Sequence, residues 1–511
     1  MSTSRKRWTL IATIVGSAMT FIDLSVVNVA LPALQRELGA TITDVQWVIE
    51  AYSLFLGALI LVGGSLGDQF GRKRVFLTGV VWFTLASVWC GAVSSPILLI
   101  AGRALQGIGA AMLVPGSLAI ISATFDGAER GRAIGTWSGF SAITTAVGPV
   151  IGGWLIENYS WRWAFFLNVP LAAIVVLLST RFMDESNDPS RTGRIDSVGA
   201  LLAVVGLGGI VLGLLEWPPL GLYHPLVVGS LVTGFIALGL FVIAEAEEKS
   251  PMMPLQLFRS RSFSLANLLT FFLYGALGVV FFLVPLLLIQ VQDSSATAAG
   301  AAFLPFPIIM FVLSRWSGGL VAAIGPRLPL TAGPIIAAVG LALLALAGVE
   351  GGRYWTTLFP AVVVLGFGMA ITVAPLTTTV MSAVPSDHAG VASGINNTVS
   401  RVAGLLAIAV FGVVLTRRFE SRMRPELQRA WATPAVRSQL QSELSKMAGA
   451  RIDSISIDPA HRAELRAAVK TAFVSGYRVV VLEAAVLALA AAAFGAGINS
   501  RPNSARNSTE K

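Results

Sequence analysis

One cysteine and three histidines in 511 residues, with only 12% of residues charged, leave this chain little of the usual equipment for chemistry. Cys90 by itself permits no intramolecular disulfide and no cysteine metal site. His224, His388 and His461 fall in separate loops and make no ligand cluster. There is no Walker-type phosphate loop, so ATP is not the expected energy source. HExxH and paired catalytic acids in one apolar stretch are also missing, and the chain does not read as an enzyme. Neither a cofactor nor a metal is expected.

What the chain has is hydrophobic sequence. With 55% hydrophobic residues and a mean hydropathy of +0.76, a soluble protein of this size would have to bury more apolar surface than its volume allows. A span needs roughly 20 predominantly apolar residues, and fourteen candidates lie at about 9–31, 46–66, 75–95, 97–121, 134–156, 163–181, 195–215, 225–244, 265–289, 298–321, 329–349, 356–381, 395–416 and 477–498. Lipid cannot satisfy backbone polar groups, so such spans are helices, and the alternation that marks a membrane barrel is absent. The expected fold class is an all-α polytopic membrane protein. The N-terminal stretch begins like a signal peptide, but its apolar run is too long and lacks a small-residue cleavage site, so it reads as a retained first helix.

A net charge of +9 and a pI near 10.1 would suit nucleic acid, yet the basic residues follow topology instead. With the N-terminus cytoplasmic, inner loops and tails carry eighteen Lys/Arg, including Arg5, Lys6, Arg7, Arg72, Lys73 and Arg74. The short outer loops carry three, Arg36, Arg162 and Arg353. This bias places both termini in the cytoplasm and the chain in the inner (plasma) membrane. The segment 417–476 holds eleven more and falls outside, but long loops translocate largely regardless of charge. It is expected to be a solvated outer cap, with short amphipathic helices as the alternative. The final NSRPNSARNSTEK is expected to be a disordered tail.

Polar linkers at Arg181–Asp196 and Glu245–Ser262 divide the spans six, two and six. The expected units are an N-terminal six-helix bundle (1–185), a linker with two extra transmembrane helices (186–258), and a C-terminal six-helix bundle (259–511) with the long outer loop 417–476. SGGLVAAIGPR (317–327) echoes GGSLGDQFGRK (63–73), with Ala322 where Asp68 stands. Duplicated six-helix halves are the plan of the major facilitator fold.

Six blocks in order, FIDLSVVNVALP (21–32), GSLGDQFGRKRVF (64–76), LIAGRALQGIGAAML (99–113), AVGPVIGGWL (146–155), WRWAFFLNVP (161–170) and AGVASGINNTVSRVAG (389–404), resemble the motif set of the fourteen-helix drug:proton antiporters of the EmrB/QacA type. The resemblance implies a proton-coupled exporter of drug-like, lipophilic or cationic compounds. It also implies a conformational lock at Gly64, Asp68, Gly71, Arg72 and Lys73, whose partner is the start of span 13 near 389–393, and an antiporter signature at Gly148, Pro149, Gly152 and Gly153. Thr144 stands where the family usually has glycine.

Charge inside a membrane is expensive and therefore a functional candidate. Asp23, Glu50 and Arg103 lie roughly 12, 6 and 10 Å below the outer ends of their spans, at about 1.5 Å per residue, so all three can share one outer cavity. Arg103 beside Asp23 would keep the carboxylate charged, and withdrawing it would let the acid take a proton. A structural pair for Asp23 and a hydrated near-surface position for Glu50 are the bland alternatives. Asn28, Gln106, Asn396 and Asn397 are candidate polar cavity residues. Phe271, Phe272, Tyr274, Phe281 and Phe282 are candidate aromatic walls, although each is more commonly core. The expected partners are a small-molecule substrate, protons and membrane lipid, with no nucleic acid. A periplasmic accessory protein on 417–476 is left open. The rival readings are an exporter of one metabolite (antibiotic, siderophore or amino acid) and, remotely, a non-transporting membrane sensor.

Overall fold

The computed structural model describes residues 3–125, 127–186, 196–248, 251–349, 354–384, 389–429, 433–455 and 457–499. Linker residues 187–195 and the tail from Ser500 lie outside the described residues. Among the described residues the regular structure is helical throughout. The order is α1 (Thr3–Leu38), α2 (Ile42–Phe70), α3 (Arg72–Ala92), α4 (Pro96–Thr124), α5 (Gly127–Asn158), α6 (Trp163–Phe166), α7 (Asn168–Phe182), α8 (Ser197–Leu220) and α9 (Pro225–Glu247). It continues with α10 (Arg261–Leu286), α11 (Ala296–Ala301), α12 (Pro305–Gly318), α13 (Leu320–Ile324), α14 (Arg327–Leu344), α15 (Leu358–Ser382), α16 (Ala389–Leu427), α17 (Pro434–Leu444) and α18 (Pro459–Ala496).

Local chemistry sets these boundaries. Thr41 and Asp44 form a capping box at the start of α2, with Thr41 N donating to Asp44 Oδ2 (2.8 Å) and Asp44 N to Thr41 Oγ1 (3.1 Å). Asp196 and Ser260 cap α8 and α10, and proline stands in the first turn of α4, α9, α17 and α18, where its missing N–H costs nothing. Among the described residues thirteen helical spans are long and apolar enough to cross a membrane; in two of them, α6 with α7 and α11 with α12 act as one. They coincide with thirteen of the expected fourteen. The remaining one, 134–156, falls on α5, a 32-residue helix unbroken through Pro149 that is not among the thirteen.

The sequence echo has a backbone counterpart. Gly71 and Gly325, aligned in the two repeats, both take positive φ (103° and 77°), a conformation nearly closed to residues with a Cβ.

One core, built on Met19, Tyr52, Phe76, Phe83 and Leu113, holds α1–α4 together. A larger core spreads over α10–α18 and, at the end bearing the α1–α2 turn, also takes in Val26, Leu31, Leu34, Val45 and Trp161. At that end, called the cap end below, the α1–α7 and α10–α18 groups share a single interior. A third cluster sets Leu207, Val211 and Leu215 of α8 against Leu54 and Ala58 of α2 and Leu405 and Ala409 of α16. The hairpin partner α9 leaves Val232, Phe235, Ile236 and Ile243 exposed, as a lipid-facing helix should.

The segment 417–476 is not a solvated cap. α16 runs on to Leu427, α17 follows, and α18 begins at Pro459. Leu440, Met447, Ile452 and Ile455 are buried in the large core. Ile42 N donates to Ser445 O (3.0 Å), Gln35 Nε2 to Lys446 O (3.0 Å), Gln290 Nε2 to Gln35 Oε1 (2.7 Å), and Arg451 to Arg36 O. The segment is therefore tied to the α1–α2 turn, and Gln35 joins both to the turn that follows α10. Its few apolar residues pack because partners distant in sequence complete their burial.

Candidate functional site

Asp23, on α1, is completely buried in a network drawn from five helices, α1 to α4 and α7. Arg103 Nη1 donates to Asp23 Oδ2 (2.5 Å), while Gln106 Nε2 (2.8 Å) and Asn168 Nδ2 (3.3 Å) donate to Oδ1. Arg103 and Gln106 are one turn apart on α4, so both reach the same acid, and Arg103 Nη1 also donates to Gln106 Oε1 (2.7 Å). Arg103 Nε donates to Val48 O (3.0 Å), and its guanidinium lies 4.3 Å from the centre of the Tyr52 ring. Asn168, at the start of α7, also donates to Ser87 Oγ on α3 (2.9 Å). A charge pair enclosed this way is held by its surroundings, because removing either partner strands the other. The Asp23–Arg103 pair, the structural alternative of the sequence reading, is present. Gln106 belongs to this network, not to an open cavity wall. Asn168 and Ser87 carried no role in the sequence reading, although Asn168 lies inside one of the six blocks.

Glu50 is not brought into this network. It is fully buried, and neither carboxylate oxygen has a hydrogen-bond partner among the described residues. Its helix phase explains this: it is two residues, about 200°, from Val48, whose carbonyl meets Arg103. It shares a helix face with Trp47, Leu54 and Ala58, the face of α2 that packs against α8 and α16. The three intramembrane charges thus occupy two places, not one cavity.

At the other end of α2, Asp68 pairs with Arg72 (2.9 Å) beside Gly71. Lys73 turns to the chain after α7, donating from Nζ to Met183 O (2.6 Å). Backbone N–H groups of Lys73 and Arg74 donate to Glu185 Oε1 (2.9 Å) and Oε2 (3.2 Å), and Arg72 N donates to Ser186 O (2.8 Å). Glu185 so caps the first turn of α3, a role with no sequence signal before the ends of α3 and α7 are brought together. Gly64 has its open side toward Pro115 on α4.

The signature on α5 lies between two helices. A Cβ on Gly148 would strike Ser25 and one on Gly152 would strike Val26, both on α1; one on Gly153 would strike Ala296, where α11 begins. Conversely, a Cβ on Gly300 of α11 would strike Pro149 O. Thr297 donates from N (3.3 Å) and Oγ1 (2.5 Å) to Glu157 Oε2, and these bonds hold the Glu157 carboxyl below its ordinary range. The motif is thus one of the places where the α1–α7 group touches the α10–α18 group.

In the α10–α18 group, a small cleft is lined by Tyr274, Leu376, Thr377, Val380, Ser393, Asn396, Asn397 and Ser400. Asn396 Nδ2 donates to Asn267 Oδ1 (3.1 Å) and Thr270 Oγ1 (2.6 Å). Of the aromatic candidates, Tyr274 lines the cleft, Phe271 and Phe272 pack edge to face, Phe272 stacks on Phe494, Phe281 packs on Phe303 and Phe306, and Phe282 is buried. Asn28 Nδ2 donates to Leu24 O on its own helix (3.0 Å).

This arrangement, two helical groups meeting at a glycine-lined seam with paired charge held inside one of them, suits moving a solute better than transforming it. The family model of the Major Facilitator Superfamily matches residues 13–408. The chain belongs to that superfamily. Among its superfamily relatives, the multidrug resistance protein Stp of Mycobacterium tuberculosis (strain CDC 1551 / Oshkosh) is 35% identical over 480 residues, covering 93% of this chain and 89% of Stp. The tetracenomycin C resistance and export protein of Streptomyces glaucescens is 31% identical over 491 residues, covering 95% and 90%. The crystal structure of a bacterial homolog of the human lysosomal transporter Spinster, inward-facing and unoccupied, has a TM-score of 0.68 at 16% identity, covering 98% of this chain and 100% of that one. This superfamily member is a secondary transporter of the drug-resistance type, multi-pass in the membrane and not an enzyme.

Proposed function

We propose that the chain exports drug-like compounds in exchange for protons, as a fourteen-helix antiporter of the EmrB/QacA type. Both termini are cytoplasmic and the cap end faces outward, as the lysine and arginine bias favours. The units run 1–185, 186–258 and 259–511, with the second contributing the extra helical pair. Asp68 and Arg72, with Gly64, Gly71 and Lys73, form the lock on the cytoplasmic face. Gly148, Pro149, Gly152 and Gly153 form the seam along which the halves move. Asn28, Asn396 and Asn397 face the transport path.

The observation that carries the proposal is Glu50. Asp23 already has a counter-charge and two amide donors, whereas Glu50 is equally buried with no donor among the described residues. An ionised carboxylate in that position is very costly, while a protonated one is tolerable, so Glu50 is suited to carry the exchanged proton. Rocking the α10–α18 group against α2 would bring Glu50 to water and release it. Arg103 and Asp23 act beside it as the fixed charge pair of the same half. The driving energy is about 1.4 kcal/mol per pH unit, with about 2.3 kcal/mol per 100 mV for each net charge moved.

The test is uptake of ethidium into everted vesicles under an imposed pH gradient. Wild type accumulates the dye and loses it on adding an uncoupler, and Glu50→Gln abolishes the gradient-driven part. Uncoupler-insensitive uptake, or a fully active Glu50→Gln, overturns the proposal. Failure to move ethidium or any other drug-like compound, with gradient-driven movement of one metabolite, would support the single-cargo reading, which the name of the tetracenomycin C relative favours.

A further inference from the structure

The cleft between α10, α15 and α16 has a hydrogen-bonding polarity of its own. Thr377 Oγ1 donates to Val373 O (3.0 Å) and Ser400 Oγ to Asn397 O (2.7 Å), so both hydroxyl hydrogens are committed to backbone carbonyls and the oxygens keep only lone pairs to offer. Asn396 uses its amide nitrogen on Asn267 and Thr270, and Asn397 donates from Nδ2 to Ser393 O (3.1 Å). Both amide oxygens are left as acceptors, so acceptors outnumber the donors that remain, which are the second Nδ2 hydrogen of Asn397 and the hydroxyls of Ser393 and Tyr274. None of the residues lining the cleft is an acid or a base of the carboxylate, ammonium or guanidinium kind. The charge pair of the other half, Asp23 and Arg103, is wholly enclosed and presents no charge to a ligand. Asn397 and Thr377 are exposed, so the acceptors can be reached.

We infer that this cleft is a subsite for uncharged ligands bearing hydroxyl or N–H donors, with Asn397, Asn396, Thr377 and Ser400 supplying acceptors and Tyr274 an aromatic wall. A polyhydroxylated aromatic compound has the matching chemistry: its O–H groups meet lone pairs, and its ring packs on Tyr274. An analogue whose hydroxyls are methylated has no donor to offer these four acceptors and leaves them unpaired, the kind of mismatch that discriminates strongly. This inference rests on the export reading for its purpose, but not for its test.

The test is equilibrium dialysis with the purified full chain in detergent at pH 6, without any gradient. The probes are 2,6-dihydroxyanthraquinone and its dimethyl ether. The dihydroxy compound should bind at least about tenfold more tightly, a difference of about 1.4 kcal/mol. Asn397→Leu should reduce that ratio to near unity, while Asn397→Asp, which keeps the acceptor, should preserve it. Equal affinity for the two probes, no binding of either, or an unchanged ratio in Asn397→Leu overturns the inference. Binding with the expected preference, but without uncoupler-sensitive transport in vesicles, would sink the antiport proposal and leave the subsite standing.

Discussion

Replacing Asp23 with asparagine removes the one negative charge in its network and leaves the rest in place. Arg103 would then be a fully buried cation whose remaining bonds are to Gln106 Oε1 and Val48 O. The new amide cannot satisfy every neighbour. Its single oxygen can accept from Arg103 or from Gln106 and Asn168, and its NH2 must then face donors on the other side. Breaking a buried pair from one side costs about 3–5 kcal/mol. Arg103→Gln should cost a similar amount by stranding the carboxylate. The double variant removes both charges, so its loss should fall short of the sum of the two by about 3 kcal/mol. The assay is equilibrium unfolding in mixed micelles, followed by tryptophan fluorescence, for wild type, both single variants and the double variant. A loss under about 1 kcal/mol for Asp23→Asn, with strict additivity in the double variant, would refute the reasoning and return Asp23 to the exchanging-acid role.

Two further outcomes follow from contacts at the cap end. In a Cys90→Ala background, cysteines at Ile42 and Ser445, whose backbones share a hydrogen bond of 3.0 Å, should form a disulfide under mild oxidation, and transport should stop until a reductant is added; unimpeded transport in the cross-linked protein would mean that the cap need not move. Gly153→Val and Gly300→Val each force a side chain into backbone across the α5–α11 seam, and should each destabilise by about 1–3 kcal/mol and lower transport, whereas Gly229→Val, at a glycine with open space around it on α9, should do neither; vesicle uptake and micelle unfolding measure both.

Much of the architecture could be read from the sequence because the signals are local. Apolar runs of the right length located thirteen spans, and the sequence echo that aligns Gly71 with Gly325 proves to carry a shared backbone conformation. Asp23 and Arg103 were legible as well, since two opposite charges at similar depth in a membrane have few alternatives to each other. Glu50 was misplaced because depth along a helix says nothing of azimuth, and azimuth has meaning only once α8 and α16 are set beside α2. Gln106 seemed a cavity residue until Asn168 and Asp23 closed around it. The cap was missed for a related reason. Leu440, Met447, Ile452 and Ile455 are too sparsely spaced to form a stripe on any one helix, and they become interior only against residues hundreds of positions away.

α16 and α18, of 39 and 38 residues, would extend about 58 Å at 1.5 Å per residue, nearly twice the roughly 30 Å of bilayer hydrocarbon. The excess makes each a lever arm whose long end carries the cap. A tilt of about 10° within the bilayer sweeps the tip of a 25 Å overhang through about 4 Å, by the same helix geometry. That sweep exceeds the reach of the hydrogen bonds that tie Lys446 to Gln35 and Ser445 to Ile42. A rotation too small to disturb the buried charge pair is therefore enough to detach the cap.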